Sequence, residues 1–225
     1  MASSKVKSES QKESFEEKLK AFIYELENTS IPDYFNPWQS SSLDRDKDEA
    51  KIRRDNLKNF LRERKDTVKY VLIGEAPSLG ARFTGIPMVC EAILKEDIYK
   101  NIFKNIKTTS KNDDTEEVTS KIVWYSIVKN KLDEKQFAIW NAFAFNKDET
   151  GKYPKPTIED LTNNSNAELL RMFLDLFPDA KIIAVGKTSY GMLGYLNSEY
   201  IRHPSYGGKN KFIEDFLKKI EVNDV

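Results

Sequence analysis

The only histidine of the chain, His203, sits in Arg202-His203-Pro204-Ser205-Tyr206-Gly207-Gly208-Lys209. Pro204, Gly207 and Gly208 mark a rigid turn. Tyr200 and Ile201 before it read as the end of a strand. Residues 210–220 after it read as a helix, with Phe212, Ile213, Phe216, Leu217 and Ile220 on one face. His203 is therefore predicted on a loop at the C-terminal end of a strand, where open α/β folds bind ligands. The helix start beside it favours negative charge. Two further stretches carry polar chemistry. The first runs Gly74-Glu75-Ala76-Pro77-Ser78-Leu79-Gly80-Ala81-Arg82-Phe83-Thr84-Gly85-Ile86-Pro87-Met88, in which Glu75 is the single carboxylate. The second is Trp140-Asn141-Ala142-Phe143, where the Asn141 amide offers both a donor and an acceptor.

The elements that must position these loops follow from periodicity. Strands are predicted at 68–73, 136–143, 181–185 and 199–201. Helices are predicted at 14–27, 89–94, 122–132 and 187–196, with another marked by Leu169, Leu170, Phe173, Leu174 and Phe177. Residues 43–65, highly charged around a narrow apolar stripe, read as a surface helix. Residues 31–42 read as a loop with exposed-type aromatics (Tyr34, Phe35, Trp38), and 74–87 and 146–156 as loops. Thr157 with Asp160 resembles a helix capping box. The polar run TTSKNDDTEEVT, 108–119, reads as a flexible excursion. Strands alternating with helices argue for a parallel sheet covered on both faces. The division expected is a flexible N-terminus over 1–13 and one domain over 14–225.

With 225 residues the chain is long enough for a proper core, and 36 basic against 36 acidic side chains leave it with no net charge. That balance gives no global drive toward nucleic acid, although a local basic stripe suffices for phosphate contacts. One cysteine, Cys90, excludes an internal disulfide framework and an all-cysteine metal or cluster site. Cys90 itself reads as a small buried apolar residue rather than a nucleophile. No apolar run is long enough for a signal peptide or membrane span, so a soluble, cytoplasmic protein is expected.

Together and in this order, the GEAP loop, the TGIPM segment, the Trp-Asn-Ala-Phe strand end and the His-Pro-x-x-Gly-Gly loop resemble the uracil-DNA glycosylase superfamily. The nearest look-alikes are bacterial members with a GEAP first motif, and the resemblance covers about residues 68–217. It implies a three-layer α/β/α sandwich around a four-stranded parallel sheet. It further implies hydrolysis of the N-glycosidic bond of deoxyuridine in DNA, leaving an abasic site. Family members with an iron–sulfur cluster hold it on four cysteines, which this chain lacks. The resemblance implies DNA as partner, no cofactor or metal, and no reason for more than a monomer.

Glycosidic cleavage creates a base anion and a cationic sugar, and the base must leave the stack for a pocket. By resemblance, His203 bonds a uracil carbonyl as charge develops there, and Asn141 reads the pyrimidine edge. Aspartate-type members carry their water activator at the position of Ala76. Alanine cannot do that, so Glu75 takes the role of placing water or stabilising the sugar cation. Met88 stands where relatives carry a stacking aromatic, with Phe83 the nearby substitute. Tyr206 lies in the loop that presses into the minor groove. Arg82, Arg202, Ser205 and Lys209, with backbone amides at Gly207, Gly208 and Lys209, are the phosphate contacts. Plainer alternatives remain at this stage: a backbone-bonded turn histidine, a strand-end cap at Asn141, a structural Glu75, a core Met88 and a solvated basic turn. Lys187 is an amine by type, but reads as a helix start, so no lyase activity is expected. Other functions left open are a glycosylase for hypoxanthine or xanthine, a non-catalytic nucleic-acid or nucleobase-binding module, and an unrelated α/β protein that binds phosphorylated small molecules.

Overall fold

Four short apolar runs form one all-parallel sheet in the order β3-β2-β5-β6: β2 (Tyr70–Gly74), β3 (Phe137–Asn141), β5 (Lys181–Val185) and β6 (Ser198–Ile201). The computed structural model describes residues 13–41, 44, 46–110, 115–147, 156–194 and 196–220. The expectation for 1–13 therefore lies almost wholly outside the described residues. Every residue of β3 is buried, as are the last four of β2, the signature of a parallel sheet covered on both sides. Two other strands, β1 (Tyr34–Phe35) and β4 (Asn146–Lys147), form a small antiparallel pair.

The remaining elements are helices: α1 (Phe15–Asn28), α2 (Glu49–Arg62), α3 (Leu79–Thr84), α4 (Glu91–Leu94), α5 (Val118–Lys129), α6 (Ile158–Leu161), α7 (Asn164–Asp175), α8 (Lys187–Met192) and α9 (Lys209–Lys219). Strand β3 shows how they divide. Phe137 and Trp140, three residues apart, point to opposite faces. Phe22 of α1 and Phe173 of α7 pack on Trp140, at 5.2 and 5.0 Å between ring centroids. Phe216 of α9 packs on Phe137 at 5.6 Å. The result is a three-layer α/β/α sandwich around a four-stranded parallel sheet, as expected.

Local chemistry explains the ends. Ser14 caps α1 in a full capping box with Glu17. Thr157 and Asp160 bond reciprocally, Thr157 N to Asp160 Oδ2 at 2.7 Å and Asp160 N to Thr157 Oγ1 at 3.2 Å.

Four expectations are corrected. The 74–87 stretch is not all loop, since α3 forms inside it. Trp38 is buried, donating from Nε1 to Gly85 O at 3.0 Å and stacking on Trp140. Helix α2 is shorter than 43–65 and not a surface helix; it buries Arg53 and Asn56 along with Leu57, Phe60 and Leu61. Charge misleads there because the charged residues are paired inside. Arg53 meets Asp44 at 2.5 Å and Glu49 at 3.5 Å, and donates to Thr109 Oγ1 at 3.1 Å and to Pro37 O. The fourth correction concerns 108–119. Thr109 and Thr119 are buried, and Asn56 accepts from Lys107 N at 3.0 Å, so the described ends of this run are built into the fold. Residues 111–114 lie outside the described residues.

Arg53 and Asp44 expose only 2% and 6% of their side chains. Arg53→Ala strands a buried carboxylate and is expected to cost about 3–5 kcal/mol in urea unfolding at unchanged slope. A loss below about 1 kcal/mol, the level of a surface pair, would contradict the buried network.

Candidate functional site

A cavity of about 460 Å³ opens at the C-terminal edge of the sheet, and all four parallel strands feed it. After β2 come Glu75, Ala76, Pro77 and Ser78; β3 ends in Asn141. After β5 come Gly186, Lys187 and Thr188, and after β6 come Arg202, His203, Ser205 and Tyr206. Met88, Tyr34, Phe145 and the start of α5 complete the wall. This is where ligands bind in open α/β sheets.

Backbone bonds hold the loops together. The β2–β3 ladder continues past the strands, with Ala142 N bonding Gly74 O at 2.8 Å and Phe143 N bonding Glu75 O at 3.0 Å. The Asn146 amide donates to Pro77 O and Ser78 O at 3.0 and 3.2 Å, tying the first loop to the second. Asn166 fixes the second loop from behind, accepting from Ala144 N at 3.0 Å and donating to Ala142 O at 2.9 Å. Thr119 and Ser205 hydroxyls lie 3.4 Å apart and join α5 to the last loop.

Glycine is required twice by close approach. A Cβ on Gly74 would stand 2.5 Å from Asn141 Oδ1 and 2.4 Å from Met88 Cε. Gly186 has φ +100°, and a Cβ there would press on the His203 ring carbon Cδ2 at 3.3 Å. Both absent side chains leave room for the groups that face the cavity.

The structure brings Glu75, Ala76, Met88, Asn141, Arg202, His203, Ser205 and Tyr206 to one cavity. Asn141 is 2% exposed, and its Nδ2 has no hydrogen-bond partner. It stands at the end of β3. His203 Nδ1 accepts from Ser205 N at 3.2 Å. That bond puts the proton of the neutral ring on Nε2 and makes Nε2–H a donor. The backbone-bonded and cavity-lining readings of His203 therefore hold together. Met88 sits at φ +53° with its carbonyl held by Trp124 Nε1 at 2.8 Å, so it is at once core and wall. A non-glycine residue in that region carries about 1–2 kcal/mol of strain. Tyr206 is 97% exposed at φ +54°, projecting from the rim.

Other expected residues do not reach the cavity wall. Phe83 is half-buried elsewhere, and its carbonyl accepts from Thr109 at 2.9 Å. Helix α3 turns it aside, which leaves Met88 as the residue on the wall. The same helix carries Arg82 away, with its guanidinium over the Phe35 ring at 4.2 Å. Lys209 lies over the Tyr125 ring at 5.6 Å. Gly208 N–H is spent on Ser205 O at 3.1 Å inside the turn. Lys187 both begins α8 and lines the cavity.

Several wall residues were not expected from the sequence, among them Tyr34, Phe145, Thr119 and Thr188, and one of them carries a carboxyl. Glu117, at the end of the supposed excursion, lines the cavity. Part of its side chain is exposed, but Oε2 is buried close to the Ser78 hydroxyl, without a hydrogen bond of ordinary geometry. Burial pushes the Glu117 carboxyl up to about 7, with the Ser78 hydroxyl pulling it partly back. The stretch before it is held by Glu91, fully buried, which accepts from Ser110 N at 3.2 Å and from Thr115 Oγ1 at 2.8 Å. Among the described residues no group of three His, Cys, Asp or Glu is placed to hold a metal ion, and no helix is long and apolar enough to cross a membrane. No protein-family model matches the chain, and no curated protein matches it.

Glu91→Ala leaves buried donors unpaired, at about 1–3 kcal/mol. Faster amide hydrogen exchange across 115–119 is expected, with the sheet amides keeping their protection. Unchanged exchange there would show that Glu91 is not the anchor.

Proposed function

We propose that the chain is a monofunctional DNA glycosylase that removes uracil from DNA and leaves an abasic site. The observation that carries this reading is the buried, unpartnered amide of Asn141 on a cavity wall shared with His203 and Glu75. A buried amide without a partner is costly, and a ligand edge that both accepts and donates relieves that cost. Uracil has such an edge, with its carbonyl accepting from Nδ2 and its N–H donating to Oδ1.

The chemistry follows from the groups on the wall. Water oxygen bonds to the sugar C1′ as the C1′–N1 bond breaks, and the bonding pair leaves with the base as an anion. His203 Nε2–H donates to the base carbonyl where that charge gathers, and an ionic hydrogen bond of this kind contributes about 1.5–3 kcal/mol. Glu75 positions the water or stabilises the cationic sugar and takes up the proton released. Met88 packs on the base face through its thioether. Tyr206, projecting from the rim, fills the space the base leaves in the stack, and Arg202 and Ser205 meet phosphate. With 36 basic and 36 acidic side chains and no net charge, binding rests on local phosphate contacts and weakens as salt rises.

Excision from labelled single-stranded oligonucleotides, each with one deoxyuridine, deoxyinosine or deoxyxanthosine, tests the reading after alkali cleavage. The deoxyuridine strand is expected to be cut, and His203→Ala to lower its rate by about one to three powers of ten. Glu75→Gln is expected to slow turnover at similar DNA affinity. Cutting only at a purine lesion would replace uracil as substrate. Binding without any cutting, with protein in excess, would overturn the glycosylase reading.

A further inference from the structure

Glu117 has no place in the chemistry above, yet it lines the same cavity as Asn141 and His203. Its Oε2 is buried without a hydrogen bond of ordinary geometry, and the polar neighbour acting on its carboxyl is the Ser78 hydroxyl. Its Cβ lies 3.6 Å from where a Gly80 Cβ would stand, so it packs directly behind the first loop. On its own element the neighbouring Glu116 is engaged by Lys121 at 2.7 Å, and no described cation pairs with Glu117 itself.

We infer that Glu117 is a base-binding residue that acts as a neutral carboxylic acid, donating a hydrogen bond from its buried carboxyl to a carbonyl oxygen of the bound base. This rests on the glycosylase reading. Each carbonyl oxygen of the base accepts two hydrogen bonds, so a further donor beside Asn141 and His203 has a site to fill. The leaving base carries negative charge. A neutral acid stabilises it, whereas an ionised carboxylate without a counter-ion repels it. Burial supports the neutral form, holding the carboxyl at about 7, far above an ordinary glutamate. A raised folded-state value means the donor is present below that pH and lost above it.

Other titratable groups face the same space. Glu75 comes from the first loop, Lys187 from the β5 loop, and Arg202, His203 and Tyr206 from the β6 loop. Tyr34 stands on the wall with its hydroxyl bonded to Asp160, and Cys90 lies behind Gly80. A glutamine at 117 keeps a donor and cannot ionise, so it separates Glu117 from all of these.

The test is single-turnover excision of deoxyuridine by the full chain and by E117Q, at about pH 6 and about pH 8.5. Between these values the neutral fraction of a group titrating at about 7 falls about thirty-fold, and the parent rate is expected to fall by that factor. The E117Q ratio between the two pH values is expected to stay within about two-fold, whatever its absolute rate. Circular dichroism checks that both proteins are folded. A parent rate independent of pH, or an E117Q rate that falls in parallel, overturns the role of Glu117 and leaves the glycosylase reading standing. A parent rate that rises with pH, with E117Q inactive, makes Glu117 a general base and overturns the inference. No excision by the parent at either pH overturns the glycosylase reading, and the inference with it.

Discussion

Asn141 closes β3 with its Nδ2 buried and unpaired, a cost of about 1–3 kcal/mol that the folded chain carries. The amide is held in place by its surroundings. Its Oδ1 lies where a side chain on Gly74 would begin, and Gly74 is its partner in the parallel ladder. The backbone on either side is committed, through Ala142 N to Gly74 O and through Asn166 to the following loop. Sheet register thus sets the height of the amide, and an absent side chain sets its room. The other cavity groups are arranged around this fixed point.

Cost accumulates along the same edge. Met88 and Tyr206 both hold left-handed backbone without being glycine, and Ser78 and Glu117 bury polar oxygens without hydrogen bonds of ordinary geometry. Left-handed backbone also occurs at Asp33 and Lys131, and buried unpaired nitrogens at Arg64 and Trp140, so such costs are not confined to this edge. Beneath them the scaffold is densely packed. Trp140 is packed between Trp38, Phe22 and Phe173, and Arg53 ties α2 to the chain before and after it.

Much of this was legible in the chain. The four parallel strands are short apolar runs followed by turn chemistry, and hydrophobic periodicity identifies them directly. The loops at three of their ends carry most of the cavity wall. What stayed hidden has local causes. Short helices such as α3 lack a periodic stripe, so the turn that carries Phe83 and Arg82 off the wall left no trace in hydrophobicity. Arg53 looks like a surface charge because its nearest partners, Pro37, Asp44 and Thr109, lie outside its own helix. Glu117 looked like one acid among several in a polar run. The stretch before it is tied to Glu91, a contact between segments distant in sequence that no local pattern encodes.

The central claim is that the Asn141 amide reads the edge of a pyrimidine while the bond to its sugar breaks. Release of free uracil from deoxyuridine-containing single-stranded DNA, followed by chromatography for the parent and for Asn141→Ala, tests it most directly. The account predicts stoichiometric uracil from the parent. It predicts a loss of at least about a hundred-fold in the variant, since a site built to bond an edge fails when that bond is removed. Equal release by both proteins, or none from the parent, would contradict it.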